Sequence, residues 1–138
     1  MKTLCIDYGL RRIGLASTDP SGTIASPLLT IPNKGDHKNI ITLTELITQH
    51  AIDRIVIGLP LYADGNQSPM SLEVNRFVTA LQKHIQIPIT THPENHSSRE
   101  AEDHIRNTLG IKTPAKIKEL LDKFAAYVIL KSYLEEPK

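Results

Sequence analysis

Apolar residues run from Leu4 to Ile6 and stop at Asp7, which predicts a buried strand over residues 3–8 with an acidic residue near its end. Gly9 to Arg12 reads as a turn and residues 13–18 as a second strand. Asp19-Pro20-Ser21-Gly22 is a dense turn signal, and residues 24–31 predict a third strand beyond it. Pro27 has no N–H to offer a neighbouring strand, so this one belongs at a sheet edge. Two hairpin-like connections in a row predict an antiparallel three-stranded opening.

The pattern then alternates between helix and strand. Ile40, Ile41, Leu43, Leu46 and Ile47 recur near helical spacing and predict a helix over 39–50. Residues 54–58 read as a strand, and Leu72, Val74, Phe77, Val78 and Leu81 predict an amphipathic helix over 71–84. A short strand is expected over 88–91. A helix over 97–109 follows, with Ser97 and Ser98 as candidate caps and Glu100 and Glu102 suited to its start. The last helix is expected over 115–134. With no repeat, no low-complexity segment and no internal boundary, residues 1–138 read as a single α/β domain, a mixed sheet flanked by helices.

Composition narrows the function classes. Sixteen Lys plus Arg against fifteen Asp plus Glu leave a net charge of +1, which argues against binding nucleic acid by bulk charge. Aromatic residues are 4% and Trp is absent, which disfavours a stacking platform for single-stranded bases. No apolar run approaches the length of a membrane span, so no membrane partner is expected. The residues after Met1 do not resemble a secretory signal, so a cytoplasmic location is expected. Cys5 is the one cysteine and lies in an apolar strand, a setting that suits a small buried residue rather than a nucleophile.

Three acidic positions stand out against that background. Asp7 follows an apolar strand and precedes Tyr8-Gly9; it either caps the turn or serves a ligand, since a carboxylate there is costly to bury unpaired. Gly9 and Gly14 allow close backbone approach or a tight turn. Glu94 follows the short strand in Thr91-His92-Pro93-Glu94-Asn95-His96 and precedes a helix, whose dipole alone would favour it. Asp122 lies at the edge of the apolar arc made by Ile117, Leu120, Leu121, Phe124, Ala125, Val128 and Ile129; a bland partner for it is Lys118, one turn back. If the three converge, they form a hard oxygen site suited to Mg2+ or Mn2+ and to phosphodiester hydrolysis. Their spacing in sequence does not establish convergence.

Two segments add a resemblance. Asp7-Tyr8-Gly9-Leu10-Arg11-Arg12-Ile13-Gly14-Leu15-Ala16 resembles the opening signature of the YqgF family, also called RuvX. Val56-Ile57-Gly58-Leu59-Pro60-Leu61, with Asp64-Gly65 and Pro69 after it, looks like the second signature, and the likeness extends through Leu121-Asp122 to Ile129-Leu130-Lys131-Ser132-Tyr133. The resemblance implies a ribonuclease H-like fold with a five-stranded mixed sheet, in a Holliday junction resolvase-like protein that processes the 5′ end of pre-16S rRNA in ribosome biogenesis. It implies that Asp7, Glu94 and Asp122 are catalytic and hold one or two Mg2+ or Mn2+ ions. Arg11, Arg12 and Gly9 would then meet the phosphate backbone of a structured RNA or pre-ribosomal particle, or of junction DNA, with the protein a monomer or homodimer. Alternatives are a junction-cutting DNA endonuclease and a non-catalytic nucleic-acid-binding factor in ribosome assembly or transcription. A nucleotide-binding protein of actin-like ATPase type is disfavoured by the short chain. The family commonly places an acidic residue before the Glu and an Arg after it, where this chain has Pro93 and Asn95; Arg99 is a candidate substitute.

Other polar residues have plainer readings. Asp64 before Gly65 suits a turn better than a fourth metal ligand. His96, Glu100 and His104 share a helical face, which reads as solvated rather than as a zinc site. Lys112, Lys116, Lys118 and Lys123 are either a nucleic-acid patch or a solvated face.

Overall fold

In the computed structural model, residues 1–94 and 97–136 are described, Ser97 for its backbone only. Strands β1 (Thr3–Tyr8), β2 (Arg12–Thr18) and β3 (Ala25–Pro32) open the chain, as the turn signals predict. Then come α1 (Asp36–Gln49), β4 (Arg54–Pro60), α2 (Pro69–Gln82) and β5 (Ile89–Glu94). Helix α3 (Ser97–Asp103) runs into a π turn (His104–Thr108), and α4 (Pro114–Glu135) ends the described chain.

Among the described residues the strands form one mixed sheet in the order β3-β2-β1-β4-β5. The first three are antiparallel, and β4 and β5 join β1 in parallel. Pro27 lies on an edge strand, as its missing N–H requires. Pro93 does too, on the opposite edge. That explains why β5 runs on to Glu94, three residues beyond the predicted end: an edge strand loses little when a proline withholds its donor.

Strand alternation sorts residues between the two faces of the sheet. Leu4, Ile6 and Tyr8 of β1 join Ile13, Leu15, Ile55 and Ile57 in a core closed by Leu43 of α1 and by Val74, Phe77 and Leu81 of α2. Cys5, Ala16 and Val56 point the other way and pack on Ala126, Ile129 and Leu130 of α4. Asp7, two residues beyond Cys5, therefore shares the α4 face. Helix α2 begins at Ser68, whose hydroxyl accepts from the Ser71 amide at 3.1 Å, with Pro69 at its first position. No helix among the described residues is long and apolar enough to cross a membrane.

Candidate active site

Asp7 is the last α4-facing residue of β1 and pairs across the sheet with Gly14 of β2. On its other side β4 carries Gly58, whose partner on β5 is His92; two residues on, Pro60 pairs with Glu94. Asp7 thus has a glycine on each side, on the face that α4 covers. A methyl group at Gly14 would collide with the backbone carbonyl of Asp122, so α4 lies directly on the sheet there. A methyl at Gly58 would stand 2.7 Å from Cδ1 of Ile129 and 3.3 Å from Cγ of Glu94. The two glycines bring the α4 backbone and the β5 end down beside Asp7. Because the end of the Ile129 side chain can turn aside, Gly58→Ala is expected to cost only about 1–2 kcal/mol in denaturant unfolding.

Asp7 feels the other two carboxylates. Burial, first, and then the charges of Glu94 and Asp122 push the Asp7 carboxyl up to about 7. The Cys5 thiol beneath is pushed up by its burial and by the charges of Asp7 and Glu94, and the residue is fully buried, as expected for its strand. The structure therefore gathers the carboxylates of β1, β5 and α4 into one electrostatic neighbourhood, although 115 positions separate the first from the last.

A cleft of about 470 Å³ opens at Asp7, lined by Gly9, Arg11, Arg12, Ser98 and Asp122 among others. The Gly9–Arg12 hairpin is held by Asn33, whose side-chain amide donates to the Gly9 carbonyl at 2.8 Å and whose N–H donates to that of Arg11 at 2.9 Å. Asn39, buried at the start of α1, donates in turn to the Asn33 Oδ1 at 2.8 Å. Sequence reading missed this pair of asparagines; Asn33 just beyond a predicted strand was its one available signal. It also missed the partner of Asp122, which is not Lys118. Arg12 Nε donates to Asp122 Oδ2 at 2.6 Å.

The other candidates separate cleanly. Asp64 accepts from the Asn66 backbone and side chain, both at 2.9 Å, as a turn residue does. The ring of His104 packs on Phe124 and Tyr127, with centroids 5.4 and 5.7 Å away, so that residue is not on a purely solvated face; Glu100 is exposed. Lys112, Lys116 and Lys118 are exposed, and Lys116 pairs with Glu119 at 3.5 Å. His96 and Asn95 lie outside the described residues.

A family model described as "RuvX: Holliday junction resolvase" matches residues 1–136. The chain belongs to the RuvX family. It is 41% identical over 132 residues to a protein of Chloroflexus aggregans, covering 96% of this chain and 92% of the relative. A Syntrophomonas wolfei protein is 38% identical over 98% of this chain and 94% of its own. Both relatives carry the name "Putative pre-16S rRNA nuclease". The fold is also that of solved resolvases. Thermus thermophilus RuvC in complex with a Holliday junction superposes with a TM-score of 0.58 at 14% identity, over 98% of this chain and 97% of that one. The fowlpox virus Holliday junction resolvase gives 0.60 at 13%, over 98% and 99%. This RuvX chain thus has the ribonuclease H-like sheet and helices expected from its signatures.

The donor chemistry of Asp7, Glu94 and Asp122 is of the kind that suits a hard divalent ion: three carboxylates, two of which oppose the ionisation of the third. Among the described residues, no group of three or more His, Cys, Asp and Glu side chains is drawn together tightly enough to hold one ion. Asp122 is turned to Arg12 instead.

Proposed function

We propose that this chain is a divalent-metal-dependent nuclease that hydrolyses phosphodiester bonds in RNA and trims the 5′ end of pre-16S rRNA. The observation that carries the reading is that the charges of Glu94 and Asp122 both bear on Asp7, which opens with Asp122 onto one cleft. The names of its RuvX relatives support the choice of RNA. The chain would act as one catalytic domain, in the cytoplasm, as a monomer or homodimer.

Asp7, Glu94 and Asp122 would hold Mg2+ or Mn2+, which supplies an activated water and offsets the charge that builds on the phosphate. The rest is done by the chain itself. Asp7 must lose its proton to act as a ligand, and its raised pKa makes that loss coincide with arrival of positive charge. Arg11 and Arg12 line the same cleft and would hold phosphate oxygens on either side of the cut. The lack of a side chain at Gly9 leaves room for the Arg12 carbonyl across the turn, and the Asn33–Asn39 pair keeps that hairpin in place. With few rings on the cleft, recognition would rest on the shape and backbone of the RNA.

The family description favours a second reading, in which four-way junction DNA is the substrate. The two separate on labelled rRNA carrying its 5′ leader and on a labelled junction, each with Mg2+ or Mn2+. Discrete cutting of the leader, abolished by EDTA, is the expected result. Paired symmetric nicks in the junction by a dimer, with the leader untouched, would replace the RNA reading. Tight RNA binding with no cutting of either would favour a non-catalytic assembly factor.

A further inference from the structure

We propose that Arg12 is a counter-ion latch, which occupies Asp122 until a substrate phosphate draws it away and so couples metal uptake to RNA binding. This rests on the reading of Asp7, Glu94 and Asp122 as the metal-holding carboxylates. Arg12 ends the Gly9–Arg12 turn and begins β2, and Asp122 lies on α4, 110 positions further along the chain. Their contact is a charge-assisted hydrogen bond of 2.6 Å, and the side chains are 45% and 24% exposed. A guanidinium so exposed keeps donors for a second anion and has room to swing. Asp122, fixed on a helix pressed against Gly14, does not.

Two facts make the pairing a switch rather than a brace. The carboxylate that Arg12 engages is the one a metal would need, and two cations on one carboxylate repel each other. Arg12 also lines the cleft with Asp7, Arg11 and Ser98, so a phosphate entering there meets the same guanidinium. Phosphate offers Arg12 a bidentate anion in place of a single carboxylate oxygen. Release of Asp122 then completes the carboxylate set, and thermodynamic linkage makes the effect reciprocal: a bound metal repels Arg12 towards the RNA. The latch discourages a loaded, hydrolytically competent site in the absence of substrate.

A brace and a latch predict opposite signs. If Arg12 merely tied β2 to α4, Arg12→Gln would loosen α4 and weaken metal binding. As a latch, its removal unmasks Asp122. The test is calorimetric titration of Mn2+ into the wild-type protein, Arg12→Gln, Arg12→Lys and Asp7→Asn, beside fluorescence anisotropy of a short RNA with the first two in EDTA. Arg12→Gln is expected to bind Mn2+ about three- to fivefold more tightly, the scale of a half-exposed ion pair, and RNA several-fold more weakly. Arg12→Lys should fall between for Mn2+, since an ammonium still pairs but as a point charge. Circular dichroism confirms that each variant is folded. Mn2+ affinity that is equal or weaker in folded Arg12→Gln, while Asp7→Asn loses the ion, overturns the latch and leaves the carboxylate site standing. No Mn2+ uptake by wild type or Arg12→Gln overturns the carboxylate site and the latch with it.

Discussion

Asp7→Asn is expected to make the protein more stable above pH 7 while lowering cleavage about a thousandfold, a loss equal to roughly 4 kcal/mol of transition-state stabilisation. The two effects have one origin. In the folded chain the Asp7 carboxyl is raised from 3.8 to about 7 by burial and by Glu94 and Asp122. A raised folded-state value means that the fold prefers the neutral acid. The preference is harmless below about pH 4, where the unfolded chain is protonated as well. It costs stability increasingly as pH rises, and the cost is complete once Asp7 ionises in the fold above about 7. The shift corresponds to about 2–4 kcal/mol, the lower figure allowing for water on the cleft side of the carboxyl. Asn mimics the neutral acid and removes the cost. Its melting temperature should therefore exceed that of wild type by several degrees at pH 8, with the gap closing towards pH 4. Mn2+ should raise the wild-type melting temperature at pH 8 and leave that of Asp7→Asn unmoved. A variant less stable than wild type at pH 8 would mean that Asp7 is a paired structural residue.

Gly14→Ala should be the most damaging small substitution in the sheet. Its added methyl meets the main-chain carbonyl of Asp122, which cannot turn aside as a side-chain end can. Helix α4 must lift, and a cost of about 3 kcal/mol is expected in denaturant unfolding, against the milder Gly58→Ala. Cleavage should fall about a hundredfold even where the variant is folded, because Asp122 rides on the displaced backbone. Near-normal stability with normal activity would show that α4 does not need this close seat.

Much of this architecture was legible in the sequence, for identifiable reasons. Strands β1 to β3 are marked by short apolar runs and by Asp19-Pro20-Ser21-Gly22, and local signals of that kind need no knowledge of the rest of the fold. Asp7 was visible because a carboxylate interrupts an apolar strand. Glu94 was read as lying after β5, since Pro93 looks like a stop until the strand is known to be an edge. Gly14 was read as a permissive position and Gly58 only as part of a signature, and neither as the seat of α4, because that depends on which sheet face the last helix covers. The Arg12–Asp122 pair joins residues 110 apart, beyond any periodicity. The π turn that brings His104 onto Phe124 and Tyr127 has no local sequence mark that would distinguish it from an α-helical end.

The central claim is that Asp7, Glu94 and Asp122 work as one metal-holding unit. It is tested most directly by the Mn2+-dependent cleavage rate of a labelled pre-16S leader RNA, measured for wild type and for Asp7→Asn, Glu94→Gln and Asp122→Asn in parallel. The account predicts that each folded variant loses about a thousandfold, and that the double variant Asp7→Asn/Asp122→Asn is scarcely worse than either single one, as for residues acting together. Folded single variants that keep cleavage within tenfold of wild type would contradict it.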